Sequence, residues 1–522
     1  MENEEYLDIE DGLSVGAVKY VDPNEIITEE EYNYIKNKIP ELDERVGVIE
    51  NEIEEINSSL ENIKSFTINV KDYGAKGDGI TDDTIAIKKA IEEAELLIND
   101  RLTDGAIVFF PQGVYVVSDT LHIMKSGINL KGESISTTIK DIGSTNILIK
   151  FNGDLTIYRS GLSNLTISSN NQQKNLILID RIINSIFENL VISNSYDCFN
   201  LKNAGKVYFN NIILTQDNTK NISRYGFDIT DGSDVHFTNV QIFANATPNL
   251  ANCMIIRACD GLYFSNSHWH GTVLFLPIDN KTLASVFFDN CYFDRGYSSC
   301  LEVQGETTNP YRNFMFTNCY FRNAKKGVII SPTTLCELIQ FTGCSFTQNE
   351  MDGIYIGSQV ENITFNGCSF ADNNNINSNE HGHIISNGNY VTINGCQFVR
   401  GGENGYGVKS SGNYNNITNN NLKNCNGNKL YIAGSSNNVI NNAGVIKKKV
   451  GSATIPTGQT EIIVKHGLTG ISSEMIMIAP RSLVTTNYRI AWVDETSFRI
   501  LINSAESDST IFTYWIDGNL YN

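Results

Sequence analysis

The sequence predicts a mainly β protein whose middle is a parallel β-helix, and three observations predict it. A short phrase recurs along the chain, as FFDNCYFDRG at residues 287–296 and MFTNCYFRNA at residues 315–324. Apolar and polar side chains alternate within each copy, which places alternate residues on one face of a strand. Asn or Gly precedes one fixed slot in every copy. Repeats of this length cannot bury an apolar face alone, so they must stack on one another.

The recurring phrase has eleven copies at intervals of 22 to 28 residues. The fixed slot, here called the anchor, holds Leu165, Leu190, Ile212, Val240, Ser267, Cys291, Cys319, Cys344, Cys368, Cys396 and Leu422. The residue before it is Asn164, Asn189, Asn211, Asn239, Asn266, Asn290, Asn318, Gly343, Gly367, Gly395 and Asn421. Asn and Gly tolerate a left-handed backbone, so one kink per copy indicates a coil turning a corner. At roughly 4.8 Å per coil, eleven coils make a β-helix about 50 Å long.

The apolar positions around each anchor are predicted to face the interior. They lie three residues before the anchor and two after it, and include Phe264, Phe288, Phe316, Phe341, Trp269, Phe293, Phe321 and Phe346. Five of the eleven cysteines occupy anchors, so we expect stacked, buried thiols and no disulfide framework. This cysteine usage predicts folding in a reducing cytoplasm.

The chain is predicted to begin with two different segments before the β-helix. Residues 1–30 are acidic and without pattern, which suggests an attachment segment. Residues 31–65 contain a heptad run with Val46, Ile53 and Leu60 at the first core position. The second core position holds Leu42, Ile49, Ile56 and Ile63. Such Ile-rich seams favour three or four strands, so we predict a parallel trimeric coiled coil, with Pro40 at the start of its helix. The alternative is one amphipathic helix packed on the body of the protein.

Composition excludes several classes of partner. The net charge is −20, and nucleic-acid binding requires clustered Lys and Arg, so no nucleic acid is expected. No run of 18 apolar residues occurs, so no membrane insertion is expected. The acidic start MENEEYLDIEDG has no apolar stretch of the kind that a secretory leader carries.

The β-helix is predicted to span residues 66–446 and to open with a turn and a short helix. INVKDYGAKGDGITDDTIAIKKAIEEAELLI covers residues 68–98, with Thr81 as the expected helix cap. Asp82 and Asp83 suit the positive end of that helix and would repel a phosphate.

Residues 447–522 differ in pattern from the β-helix repeats. Short alternating strands separated by turns indicate a small β-sandwich there.

The opening motif resembles one particular superfamily. VKDYGAKGDGITDDTIAIKKAI, VFFPQGVYVVSDTLHI and INLKGES are similar to the start of pectin-lyase-like, right-handed β-helix proteins. That superfamily includes polygalacturonases, epimerases and bacteriophage tailspikes or appendages. The polygalacturonase motifs N-T-D, D-D, G-H-G and R-I-K are not found at the matching places; EHGH at residues 380–383 is not G-H-G.

Together with the heptads and the C-terminal strands, the chain resembles a phage tailspike or tail appendage. The resemblance implies a homotrimer in the virion tail that is made in the host cytoplasm. It also implies contacts with tail or baseplate proteins through the N-terminus and binding to a bacterial cell-surface glycan. The C-terminal module would serve trimerisation or glycan binding.

The candidate site comes from the outward positions, one and three residues after each anchor. Three adjacent coils carry titratable or aromatic side chains at these positions: His268 and His270, then Tyr292 and Asp294, then Tyr320 and Arg322. Alternation also points Glu302 outward. Nearby loops add Arg295, Lys325, Lys326, Glu350 and Asp352.

Glycoside hydrolysis requires two carboxyl groups, about 5 Å apart for retention or about 6.5 to 9.5 Å for inversion. We therefore predict Asp294, Glu302 and Asp352 as the catalytic candidates. The predicted substrate-binding residues are His268, His270, Tyr292, Arg295, Tyr320, Arg322 and Lys325. No cofactor or metal is predicted, because H-x-x-x-H and cysteine clusters are absent. Outward columns carry polar residues in any case, so the same cluster also suits a plain solvated surface.

Three functions stay open on the sequence alone. The first is a tailspike that cleaves a capsule, an exopolysaccharide or a teichoic acid. The second is an appendage that only binds its receptor, through aromatic stacking and hydrogen bonds. The third is a secreted uronate polysaccharide lyase with Arg322 or Lys325 as its base and a cation that neutralises the substrate carboxylate.

Overall fold

The structure, a computed structural model, describes most of the chain. The described residues are 28–98, 105–143, 146–169, 175–193, 197–215, 225–243, 252–278, 281, 283–305, 311–331, 335–445, 448–466, 468, 473–494 and 496–517. Nearly all of the predicted attachment segment, and the predicted boundary at residues 446 and 447, lie outside these ranges. The chain divides into two units, Met1–Ser65 and Phe66–Asn522, which are described separately.

The first unit contains one long helix, α1, over Glu29–Ser65. Thr28 and Glu31 form a capping box at its start: the Thr28 hydroxyl accepts the Glu31 N–H, and the Glu31 carboxylate accepts the Thr28 N–H at 2.9 Å. The prediction that Pro40 begins the helix is therefore wrong, because Pro40 lies inside α1. At this interior position Pro40 cannot donate an i→i−4 hydrogen bond, so α1 lacks one such bond there.

Five residues of the predicted heptad seam of α1 are exposed, and the side chains of the other two, Leu60 and Ile63, lie outside the described part of the structure. Leu42, Val46, Ile49, Ile53 and Ile56 each present half or more of their surface to solvent. Exposed apolar side chains in a row require a partner to become buried, and no described residue of the first unit covers these five. The trimeric coiled coil stays a prediction.

We expect Ile53→Asp combined with Ile56→Asp to dissociate the N-terminal assembly while the β-helix stays folded, because both charges would enter the seam. Sedimentation should then change from a trimer to a 58.0 kDa monomer. Asn51→Asp combined with Ser58→Asp adds the same charge outside the seam and should leave the trimer intact. A wild-type protein that sediments as a monomer would contradict the predicted assembly.

The second unit contains a parallel β-helix built from two sheets. The larger has 26 described strands: Thr67–Asn69, Asp78–Asp82, Ala106–Phe110, Val114–Val117, Ile128–Gly132, Thr138–Asp141, Ile157–Tyr158, Gly161–Ser169, Ile182–Ser193, Ala204–Thr215, Gly232–Phe243, Cys259–Ser265, His268–His270, Leu283–Asp289, Tyr292–Asp294, Tyr311–Thr317, Tyr320–Arg322, Cys336–Thr342, Ser345–Thr347, Val360–Asn366, Ser369–Ala371, Thr392–Asn394, Gln397–Arg400, Asn416–Thr418, Asn421–Cys425 and Asn438–Ile440. The other has 13: Leu121–Ile123, Ile147–Phe151, Asn175–Asp180, Asp197–Lys202, Tyr225–Ile229, Asn252–Ile256, Thr272–Phe275, Ser299–Val303, Lys326–Ile330, Ile354–Ile356, Gly382–Ser386, Tyr406–Ser410 and Asn428–Ile432.

The predicted kink before each anchor is confirmed in ten of the eleven copies. Each of these Asn and Gly residues has a φ between 50° and 63°. The asparagines also form a ladder, because the Asn189 amide donates to Asn164 at 3.0 Å and the Asn211 amide donates to Asn189 at 3.1 Å. Asn is thus favoured twice, by its tolerance of the left-handed backbone and by its side-chain amide.

The eleventh anchor lies two residues earlier in the chain than the sequence predicts. The structure pairs Thr418 with Asn394, and the left-handed residue is Asn419, with a φ of 57°. The anchor is therefore Asn420, which is buried, and not Leu422. Its amide donates to the Ile393 carbonyl at 2.8 Å, so a polar side chain fits the interior column there.

A short helix, α2, over Thr84–Leu97 follows the first strands. The predicted cap Thr81 is wrong, because Thr81 lies in the strand Asp78–Asp82. Asp83 precedes α2, and its carboxylate accepts the N–H groups of Lys76 at 2.6 Å and Gly77 at 3.1 Å. Asp83 is buried, and a buried charge costs free energy unless it is hydrogen-bonded. The two backbone N–H groups provide those hydrogen bonds, and the carboxylate in turn fixes the glycine turn.

The interior column of cysteines is confirmed. All eleven cysteines are free and buried. The predicted inward aromatic positions are also buried, and their rings stack from coil to coil, as in Phe316 on Phe341 at 4.7 Å between ring centroids. Burial raises the pKa of the Cys319 thiol well above its ordinary value.

The C-terminal residues form two antiparallel sheets of three described strands. One contains Lys448–Ile455, Ile476–Pro480 and Thr510–Asp517; the other contains Glu461–Lys465, Tyr488–Asp494 and Ser497–Ile502. Their apolar faces share one core that includes Phe498, Ile500 and Phe512. A short 3₁₀ turn, Ser473–Met475, precedes the strand Ile476–Pro480.

Candidate functional site

Three neighbouring coils align the predicted site residues in two columns, which we call the outer strip. His268, Tyr292 and Tyr320 are in register in the first column. His270, Asp294 and Arg322 are in register in the second. The alignment predicted from the repeat is therefore what the fold produces.

Asp294 lies on the outer side of its strand but is buried by its neighbours, with 7% of its surface exposed. The Asn323 amide donates to Oδ1 at 2.9 Å. Oδ2 lies 3.6 Å from Nε of Arg295 and 3.7 Å from Nε2 of His270. The carboxylate is thus fixed by one hydrogen bond and faces two cationic or potentially cationic side chains.

The two histidines stand at right angles above Asp294. Their ring centroids are 4.4 Å apart, and the Phe243 ring on the preceding coil meets both of them edge-on. Burial lowers the pKa of His268 to about 4, and the charge of His270 adds to that effect. His268 is accordingly neutral near pH 7, and its buried Nε2 has no hydrogen-bond partner among the described residues.

The tyrosines and Arg322 form the more exposed part of the outer strip. Tyr320 presents 48% of its surface, and its ring lies 5.8 Å from that of Tyr292. The Arg322 guanidinium lies 6.0 Å from the Tyr292 ring and donates to Oε1 of Gln348 at 2.7 Å. Aromatic faces beside a guanidinium suit stacking against sugar rings with hydrogen bonds to hydroxyl groups.

Glu302 lies on the other sheet of the same coil as Asp294. Its strand, Ser299–Val303, follows the corner at residues 295–298. The hydroxyls of Ser298 and Ser299 each donate to Oε2 at 3.1 Å. At this corner the Nζ of Lys325 lies 4.8 Å from the Tyr297 ring. Glu302 is half-buried, and among the described residues these two hydroxyls are the hydrogen-bond donors to its carboxylate.

Asp352 differs from both, because its carboxylate is buried in an ionic cluster. Oδ1 accepts the Gly382 N–H at 3.1 Å and lies 3.0 Å from Nδ1 of His381. Oδ2 lies 3.2 Å from Nζ of Lys326, which also lies 4.5 Å from the Tyr355 ring. Only 1% of the Asp352 side chain is exposed, so the structure does not bring it to the surface beside Glu302.

Sequence reasoning missed two features of this region. His381 joins Asp352, and the available signal was an Asp at a coil corner with a His one coil later. An outward ladder of stacked rings, Tyr208, His236, Tyr263 and Phe287, was also missed. Its signal was an aromatic or His residue four places before the anchor in four successive copies.

One donor set in the outer strip has the composition of a metal site. A ring nitrogen of His268, a ring nitrogen of His270 and a carboxylate oxygen of Asp294 all lie within 4.8 Å of one another. Imidazole nitrogens and a carboxylate are ligands that zinc and related divalent ions accept.

The fold and the opening motif together define a pectin-lyase-like, right-handed parallel β-helix protein. Residues 67–344 match the family described as rhamnogalacturonase A/epimerase, pectate lyase-like, and the chain belongs to it. Residues 307–466 match the right-handed β-helix region.

Several characterised proteins are similar to parts of the chain. The preneck appendage protein of Bacillus phage PZA is 32% identical over 128 residues, which is 22% of this chain and 12% of that protein. Alginate lyase 7 of Azotobacter vinelandii is 39% identical over 114 residues, 20% of this chain and 12% of that protein. The chain thus matches about an eighth of the length of these relatives. The similarity to phage appendages that the motifs indicated is confirmed.

One solved structure shares the fold over most of the chain. It is the tailspike protein gp49 from Pseudomonas phage LKA1, with a TM-score of 0.53 at 10% identity, covering 86% of this chain and all of that one.

Among the described helices, none is long and apolar enough to cross a membrane.

Proposed function

We propose that the protein is a phage tail appendage that binds a bacterial surface polysaccharide and cleaves it by acid–base hydrolysis. The observation that carries the proposal is the outer strip, where Asp294 lies among aromatic and cationic side chains on the same coil that carries Glu302 on its other sheet. In this proposal, Asp294 and Glu302 act as the acid and base. Tyr292, Tyr320, Arg322, Arg295, Lys325 and the two histidines hold the sugar.

The similarity to preneck appendage and tailspike proteins supports a place in the virion tail. The N-terminal segment would attach the protein to tail or baseplate proteins, α1 would trimerise, and the C-terminal sheets would form a sandwich that trimerises or binds glycan. Asp352 enters the proposal as a positioning residue, because its carboxylate is enclosed by Lys326, His381 and the Gly382 N–H. Its ion pair with Lys326 would hold in place the strand Lys326–Ile330, which pairs with the strand that carries Glu302.

The test is incubation of the purified protein with envelope polysaccharides of candidate host bacteria. Release of reducing ends without new ultraviolet absorbance supports hydrolysis. Absorbance from an unsaturated sugar would instead support a lyase, in which Arg322 or Lys325 is the base. Release of phosphomonoesters from a teichoic acid would point to phosphodiester cleavage.

A second function, receptor binding without cleavage, is favoured by the outward aromatic ladder. Tyr208, His236, Tyr263 and Phe287 stack at 4.4 to 5.2 Å between ring centroids, and Tyr208 and Tyr263 are exposed. A row of aromatic rings at coil spacing can contact successive sugar units without any acid or base. Cell binding that is saturable, with no product released from any tested glycan, would favour this function over hydrolysis.

A further inference from the structure

We propose that His268, His270 and Asp294 form a binding site for one divalent first-row transition-metal ion of the zinc type. This inference does not depend on glycan cleavage, because the ion would bind to the protein alone. Two imidazoles and one carboxylate, with a position left for water or a ligand, are the donor set of an open zinc site.

The separations suit a chelate that closes with small side-chain rotations. Bonds of about 2.1 Å in tetrahedral geometry place ligand atoms on the order of 3.4 Å apart. The three ligand atoms lie within 4.8 Å of one another, and Nε2 of His270 lies 3.7 Å from Oδ2 of Asp294. The strand backbone fixes this arrangement, because His270 and Asp294 are in register on adjacent coils.

His268 supplies the second observation. Its Nε2 is buried and has no hydrogen-bond partner among the described residues. A buried ring nitrogen without a partner costs free energy, and a metal bond would remove that cost. The ring nitrogen, without a partner among the described residues, is therefore available as a ligand atom.

The surroundings also resemble those of metal sites. The Asn323 amide donates to Oδ1 of Asp294 at 2.9 Å, which orients the carboxylate and leaves Oδ2 toward the histidines. The Phe243 ring lies beside both imidazoles and forms an apolar wall. Arg295 competes for Oδ2 at 3.6 Å, but more than half of its side chain is exposed, so it can move away when a cation binds.

The experiment titrates Zn²⁺ into full-length protein that has first been dialysed against a chelator. Calorimetry should give one ion per chain for the wild type, and His270→Ala and Asp294→Asn should each weaken binding at least 10-fold. His236→Ala is the matched control, because His236 lies outward on the same sheet, stacked between Tyr208 and Tyr263. This control should bind Zn²⁺ as the wild type does.

A second measurement avoids the variants. X-ray absorption at the zinc edge of the loaded wild type should show two imidazole ligands, and Zn²⁺ should raise the melting temperature of the wild type and of His236→Ala. Absence of binding by the wild type would overturn the proposal. Equal binding by His270→Ala, or a spectrum without imidazole, would show an adventitious ion only and would overturn it too. Neither result bears on glycan cleavage, which is measured separately.

Discussion

We expect Asp294→Asn and Glu302→Gln each to lower glycan cleavage by about 10² to 10⁴-fold, the usual contribution of general acid–base assistance. Each amide keeps the shape of the side chain but cannot exchange the proton. The reaction rate should be measured on metal-free protein and again with Zn²⁺ present. A loss that appears only with Zn²⁺ would assign Asp294 to the metal site rather than to proton transfer.

Asp289→Asn is the matched control for this pair of variants. Asp289 is exposed on the same coil, before the kink, and the same chemical change there should leave the rate unchanged. Binding to host cells should survive in all three variants, because the tyrosines and Arg322 remain. Full activity in both Asp294→Asn and Glu302→Gln would move the active site elsewhere, first to Glu350 and the Asp352 cluster and then to a surface shared between subunits.

The repeat made the fold and the outer strip predictable, because one backbone kink per coil fixes which residues face outward. That constraint places His270, Asp294 and Arg322 in one column from spacing alone. The eleventh anchor differs from its predicted position for a related reason. In the tract NITNNNLKN, several asparagines suit the kink, and the interior position is taken by Asn420, which a search for apolar anchors passes over.

The environment of each carboxylate was not predictable in the same way. Asp294 is buried by Asn323, Arg295 and His270, which come from its own corner and from the coils on either side. Asp352 is enclosed by Lys326 and His381, 26 and 29 residues away. Coil corners vary in length, so sequence alone does not say which corner residues meet across them.

Cys344→Asp is expected to prevent folding of the β-helix. The Cys344 thiol is fully buried in the anchor column and donates to the Phe316 carbonyl at 3.3 Å. A carboxylate at this position would bring a negative charge into the buried interior, beside the Phe316 carbonyl oxygen, at a cost of several kcal/mol. That cost is comparable with the stability of a typical domain, about 5 to 15 kcal/mol. The variant should be insoluble, or should lack the cooperative thermal transition of the wild type.

Cys344→Asn is the decisive control, because the same chain already uses asparagine in this column. Asn420 occupies the equivalent anchor, and its amide donates to the Ile393 carbonyl as the Cys344 thiol donates to that of Phe316. Cys344→Asn should therefore fold, although it has the same shape as Cys344→Asp. If both variants fold with the wild-type melting temperature, or if the native Cys344 thiol reacts rapidly with a labelling reagent, the anchor column is not the sealed interior described here. If Cys344→Asp alone fails and recovers structure as the pH falls, the burial of charge is the cause, since protonation removes that charge and favours the folded state.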